Sequence, residues 1–147
     1  MSSGGTSLVS SADVIHRTSG DPVNPPKMAA WNLGLRFLLE LAALIGLGAM
    51  AWDLGSGVSR WINVIGAPLG AVAAWGIFNV VGDPSRSGAA PVRVSGWIRL
   101  VLELVILIGG AIAIGYVWSW WSGFGAMALI LVHYIVSRRR VRWLVQQ

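Results

Sequence analysis

The chain carries long stretches in which every position is apolar or small, whichever face of a helix it would occupy. Trp61 to Gly82 holds no formal charge, and neither does Leu104 to Ser137, a run long enough for two spans joined by a tight turn. With the apolar run that follows Lys27, the pattern predicts four helices at about 31–52, 61–81, 97–118 and 121–137. At about 1.5 Å per residue, roughly 20 residues cross a hydrocarbon core about 30 Å thick. Transmembrane strands would instead alternate apolar with polar residues over about ten positions. These runs do not alternate. The expected fold is an all-α membrane protein, a four-transmembrane-helix bundle.

Composition agrees with lipid as the outer solvent: of 147 residues, 55% are hydrophobic and only 12% charged, too apolar for an ordinary soluble domain of this size. The net charge of +5 would suit nucleic acid if it formed a patch, but most of it flanks the predicted spans, so no nucleic-acid partner is expected. With four spans, both termini and the middle connection share one side. That side collects Lys27, Arg86, Arg93, Arg138, Arg139, Arg140 and Arg142, against Arg60 alone opposite. The positive-inside bias places both termini in the cytoplasm. Trp52, Trp61, Trp118, Trp120 and Trp121 then gather at the outer interface and Trp31, Trp97 and Trp143 near the inner one, with Trp75 deeper in helix two.

Residues 1–27 are rich in Ser, Gly, Pro and Asp, and Asn24-Pro25-Pro26 bars a helix from running into the first span, so the segment reads as a disordered cytoplasmic tail. It lacks the apolar core of a signal peptide. Met28, immediately before the first span, is a second candidate start. Residues 28–147 form the predicted transmembrane domain with a short basic C-terminal end, in which Trp143 and Leu144 extend helix four along the interface. Small residues four apart predict close packing: Gly66, Gly70 and Ala74 in helix two, Gly109 with Ala113 and Ala111 with Gly115 in helix three. Pro68 removes a backbone donor from helix two and should bend it unless neighbours satisfy the freed carbonyl.

Charge enters the apolar runs twice, in the same form. Arg36 and Glu40 lie in LGLRFLLELAALIG, Arg99 and Glu103 in WIRLVLELVILIGG. Ionised groups at bilayer depth are expensive and usually face the protein interior, often at functional sites. The segments RFLLELAALIGLGA and RLVLELVILIGGAI align throughout, which suggests two helical hairpins related as parallel repeats. In each pair the Arg precedes the Glu near a helix start, the poorer order for an intrahelical pair. Cross-pairing of Arg36 with Glu103 and of Arg99 with Glu40 is therefore expected, as a symmetric four-charge cluster.

Other candidates are sparse. His133 lies at about the depth of the carboxylates, where it would either join a proton relay with Tyr134 or, as is commoner, be satisfied by a helix carbonyl. Asn79 suits a cap for helix two. Arg86, Arg93, Arg138, Arg139, Arg140 and Arg142 suit anionic lipid headgroups or the simpler role of orientation signal. No cysteine is present, Ser and Thr form no triad with His and Asp, and no phosphate loop occurs. Neither a cofactor nor a metal is expected, and an enzyme is not.

RFLLELAAL at Arg36 to Leu44, AWGIFNVVGDPSRSG at Ala74 to Gly88 and VSGWIRLVLEL at Val94 to Leu104 together resemble the YrdB family of small bacterial integral membrane proteins of unknown function. The resemblance runs from about Met28 to Val136, with Val81 where a proline would be expected. It implies a four-helix protein of the bacterial inner membrane and carries over no substrate or catalytic residue. Two function classes stay open. One is a structural or accessory subunit, held to a membrane-protein partner, whose charge motif fixes helix register; the other is a homo-oligomeric transporter or channel for protons, cations or a small solute.

Overall fold

The computed structural model describes residues 27–83 and 91–147. The tail before Lys27, and Arg86 in the middle connection, lie outside the described residues. The chain is mainly helical: α1 Ala30–Leu54, α2 Gly57–Ile77, α3 Gly96–Val117, α4 Trp120–Val136 and α5 Arg138–Val145. Between α2 and α3, β1 Phe78–Asn79 pairs in parallel with β2 Val92–Arg93, Phe78 opposite Val92. By length and composition α1 and α3 are apolar enough to cross a membrane, and α4 joins them if it and α5, bent 72° from it, count as one broken span.

Short polar connections set the helix boundaries. Gly55 closes α1, its N–H donating to Trp52. Ser59 holds the start of α2, its hydroxyl accepting from the Ser56 N–H and donating to the Ser56 carbonyl. This moves α2 four residues earlier than the charge-free run indicated, bringing Arg60 into its first turn. Arg60 stays clear of the apolar interior by lying over the Trp52 ring, 4.8 Å from its centroid, and donating to the Gly55 carbonyl. Ser119 caps α4 by accepting from the Ser122 N–H. At its other end α2 stops at Ile77 because Phe78 and Asn79 leave the helix for the strand ladder. Asn79 lies in β1 just past the helix, and its Oδ1 accepts from the N–H of Val80.

Helix α3 is the spine, in contact with all the other helices. Its approach to α1 centres on Gly110, where an added Cβ would collide with the backbone of Ala43, and on Gly46 of α1 opposite. Dispersion across such contacts replaces the hydrophobic effect between helices in lipid. The expected Ala111/Gly115 ridge packs on α4, where a Cβ on Gly123 would lie 2.8 Å from the Gly115 Cα. Gly109 only approaches the Leu47 side chain, at 4.0 Å from a built Cβ, while Ala113 is fully buried. Gly66 and Gly70 of α2 meet nothing within 4 Å, so the ridge predicted there is unpacked among the described residues. Helix α2 runs unbroken through Pro68, and the Val64 carbonyl that Pro68 cannot serve faces Gly48, whose Cβ would sit 3.3 Å from it.

The C-terminal segment departs most from expectation. Trp143 and Leu144 do not lie along an interface as an extension of the fourth helix; the bend after Val136 turns α5 under the end of the helices, and both side chains are buried against Val80 and Leu100. A Cβ on Gly96, at the start of α3, would collide with the Leu144 carbonyl, so α5 seats against a position that only glycine fits. Trp31, Trp61, Trp97, Trp118, Trp120 and Trp121 stay exposed, as lipid-facing or interfacial indoles should.

Gly110→Val is expected to lower thermal stability in detergent by about 1–3 kcal/mol, the usual cost of overpacking. Gly109→Ala, one residue away in open space, should melt like the parent; equal loss in both variants would show that the α1–α3 approach is looser than described.

Candidate functional site

Charged residues from two helices, α1 and α5, converge on Glu103. This carboxylate of α3 is fully buried, at 0% exposure. Arg36 of α1 reaches it through Nη2, 3.0 Å from Oε2, with Nη1 3.0 Å from Oε1. From α5, Arg140 donates Nη1 to Oε1 at 3.2 Å and Nη2 to Oε2 at 3.1 Å, and from α4 the Tyr134 hydroxyl donates to Oε1 at 2.9 Å. A carboxylate offers about four acceptor positions, and those of Glu103 are filled by two cations and a phenol.

Each guanidinium then reaches a second group. Arg36 Nε donates to Glu40 of its own helix at 2.8 Å. Arg140 forms a fork with Asp83, Nε to Oδ1 at 3.0 Å and Nη2 to Oδ2 at 2.7 Å. The bidentate match of guanidinium and carboxylate ties α5 to the end of the β1 segment. Of the four acidic residues that follow the tail, Glu40, Asp83 and Glu103 belong to this network and Asp53 lies apart.

The two Arg/Glu pairs are not equivalent. Arg36 does meet Glu103 as cross-pairing required, but Glu40 takes Arg36 of its own helix rather than Arg99. Residue order disfavours such a pair only on an isolated helix; here Glu103 already fixes the guanidinium, and Glu40 uses its remaining Nε–H. Arg99, also fully buried, turns to α2, donating Nη1 to the carbonyls of Trp75 at 3.1 Å and Phe78 at 3.3 Å, with its guanidinium carbon 5.8 Å from the Trp75 ring centroid. A cation at a helix C-terminus satisfies carbonyls that have no intrahelical donor and complements the dipole. The symmetric four-charge cluster is thus replaced by an asymmetric one that fastens four different elements to α3.

His133 and Tyr134 enter separate polar chains although their rings stack edge to face with centroids 5.4 Å apart. Tyr134 serves Glu103. His133 Nδ1 lies 2.8 Å from Asn32 Oδ1, and Asn32 Nδ2 donates to Ser137 Oγ at 2.8 Å. With its amide nitrogen directed at Ser137, Asn32 presents its carbonyl to His133, which puts the imidazole proton on Nδ1 and leaves Nε2 buried without a hydrogen-bond partner. Asn32 and Ser137 link the start of α1 to the junction of α4 and α5. Sequence reasoning passed over both, assigned Asp83 no functional role and gave Arg140 only a headgroup or orientation role. Arg140 was legible in retrospect, because positions 140, 143 and 144 share one helical face with the apolar Trp143 and Leu144. Arg93, Arg138, Arg139 and Arg142 are exposed and take no part in the network.

A family model described as "Protein of unknown function (DUF2568)" matches residues 34–133, a span that holds Arg36, Glu40, Asp83, Arg99, Glu103 and His133. The chain is also 38% identical over 121 residues to the uncharacterized protein YrdB of Bacillus subtilis (strain 168), across 82% of this chain and 98% of that one. No solved structure matches. The motifs around the two Arg/Glu pairs and the extent of both matches agree: the chain belongs to the DUF2568 family, the family of YrdB.

Proposed function

We propose that this is a four-span protein of the bacterial cytoplasmic membrane, with both termini inside, acting as a structural or accessory subunit rather than as an enzyme. The observation that carries this is the saturation of Glu103. A carboxylate that already accepts from two guanidiniums and a phenol has no free position for a travelling proton or cation, and its role is to hold Arg36, Tyr134 and Arg140 in one register. Buried ion pairs of this kind specify arrangement more than they add stability. The absence of a nucleophile or metal-binding motif in the sequence and the preponderance of Lys and Arg at one end of the helices support the rest. The lipid bilayer is one partner; a second membrane protein, or a second copy, is the other.

Glu40 favours the alternative, a homo-oligomeric carrier of protons or cations. Its side chain is 20% exposed and meets a single guanidinium, so it is the carboxylate such a path would use.

Two variants separate these readings. Glu103→Gln keeps the shape but leaves Arg36 and Arg140 without their shared counter-charge, and is expected to destabilise the protein in detergent by about 3–5 kcal/mol, the scale for breaking a buried pair. Glu40→Gln should fold normally and co-purify with the same chains. Loss of proton-coupled flux in well-folded Glu40→Gln vesicles would transfer support to the carrier.

Topology is open to direct labelling because the sequence has no cysteine. Single variants Ser119→Cys and Gln147→Cys, treated in intact cells with a membrane-impermeant maleimide, are expected to react at Ser119→Cys at once and at Gln147→Cys only after permeabilisation. The opposite order would invert the proposed orientation.

A further inference from the structure

At the end of the helices where α1 begins and α4 gives way to α5, a cavity of about 260 Å³ opens beside the buried network. Lys27, Asn32, Val136, Ser137, Arg139 and Arg140 line it, and among the described residues no acidic side chain does. Arg140 is committed to Glu103 and Asp83, but Lys27 and Arg139 are exposed and meet no acidic side chain among the described residues.

Asn32 and Ser137 are both buried, at 2% and 4% exposure, and each holds a donor in reserve. Asn32 Nδ2 spends one N–H on Ser137 Oγ, and Ser137 spends only its acceptor there, so a second amide N–H and a hydroxyl hydrogen remain. Ala29 lends α1 no side-chain cap, and the first turn of α1 contains no acid, so its terminal N–H groups add positive potential at the same place. The cavity offers donors and positive charge, the chemistry of an anion site. Its rim is partly apolar: Met28, Ala29 and Val136 also line it, and Val136 is exposed on a helix read as membrane-spanning.

We propose that this cavity seats the phosphate-bearing headgroup of an anionic phospholipid, with the acyl chains running along the exposed faces of α1 and α4. The donors of Asn32 and Ser137 and the charges of Lys27 and Arg139 meet the phosphate, while the apolar rim selects a lipid over a free anion. The site rests on the membrane-spanning reading. It differs from general attraction of the basic segment to a negative leaflet, because it singles out Lys27 and Arg139 from the equally basic Arg138 and Arg142.

The test is native mass spectrometry of the full chain in detergent, with phosphatidylglycerol or phosphatidylcholine of matched acyl chains added and with inorganic phosphate alone as a third arm. One phosphatidylglycerol should be retained under conditions that release phosphatidylcholine. The double variant Lys27→Gln/Arg139→Gln should weaken retention about 30-fold, on the scale of two basic groups at an anionic surface, while Arg138→Gln/Arg142→Gln should change it by no more than about 3-fold, since neither residue lines the cavity. Equal retention of the two lipids, equal loss in both double variants, or displacement of the lipid by inorganic phosphate would each overturn the proposal. Recovery of the protein in the soluble fraction of cells would instead overturn the membrane reading beneath it.

Discussion

A carboxylate at zero exposure within an apolar helix is the constraint to which the rest of this structure answers. Moving an ionised group out of water costs several kcal/mol even after the surroundings relax, and the cost is offset only when charge and hydrogen bonds are returned in full. Glu103 recovers them from three elements, with Arg36, Tyr134 and Arg140 arriving from α1, α4 and α5. None can shift by a helical turn without stranding a charge. Apolar side chains facing lipid on one side and one another on the other discriminate weakly between neighbouring registers, so specification of the arrangement falls to these few polar contacts.

The same end of the molecule is held by helix termini as well as by side chains. Arg99 meets the C-terminal carbonyls of α2, the Leu144 carbonyl of α5 presses on Gly96 at the start of α3, and Asn32 joins the start of α1 to Ser137 after α4. At the opposite end the connections are short turns governed by Ser56, Ser59 and Ser119, and aromatic contacts such as Trp52 with Trp61, 4.8 Å apart, and Arg60 over Trp52 take the place of ion pairs among the described residues. Polar fastening is thus concentrated at one end. Helix α2, fixed there by Arg99 and elsewhere packed mainly on α1, is the least enclosed of the long helices.

The long helices were legible because apolar runs free of charge have few structural outcomes, and their ends came within a few residues wherever a turn signal coincided with the charge boundary. Helix α2 was displaced because Arg60 lies inside its first turn, where a neighbouring indole and carbonyl make a cation tolerable that a rule based on charge-free length excludes. The participation of Arg36 and Glu103 was readable from their cost in lipid. Their exact partners were not, since partner choice depends on which face of a distant element turns inward. Asp83 and Arg140 lie in segments of ordinary turn and basic composition, and only the bend after Val136 brings them together. The similarity of the two Arg/Glu segments misled in one respect. Equal local sequence does not impose equal surroundings, and Arg99 meets helix-end carbonyls where Arg36 meets acids.

Arg140 follows every long helix in the chain. Without α5, Glu103 would keep Arg36 as the one guanidinium that it meets directly, and Asp83 would lose its fork with Arg140. The α5 segment therefore supplies the second counter-ion of the interior network. A chain cut before α5 would keep every long helix and lose the charge balance of its interior.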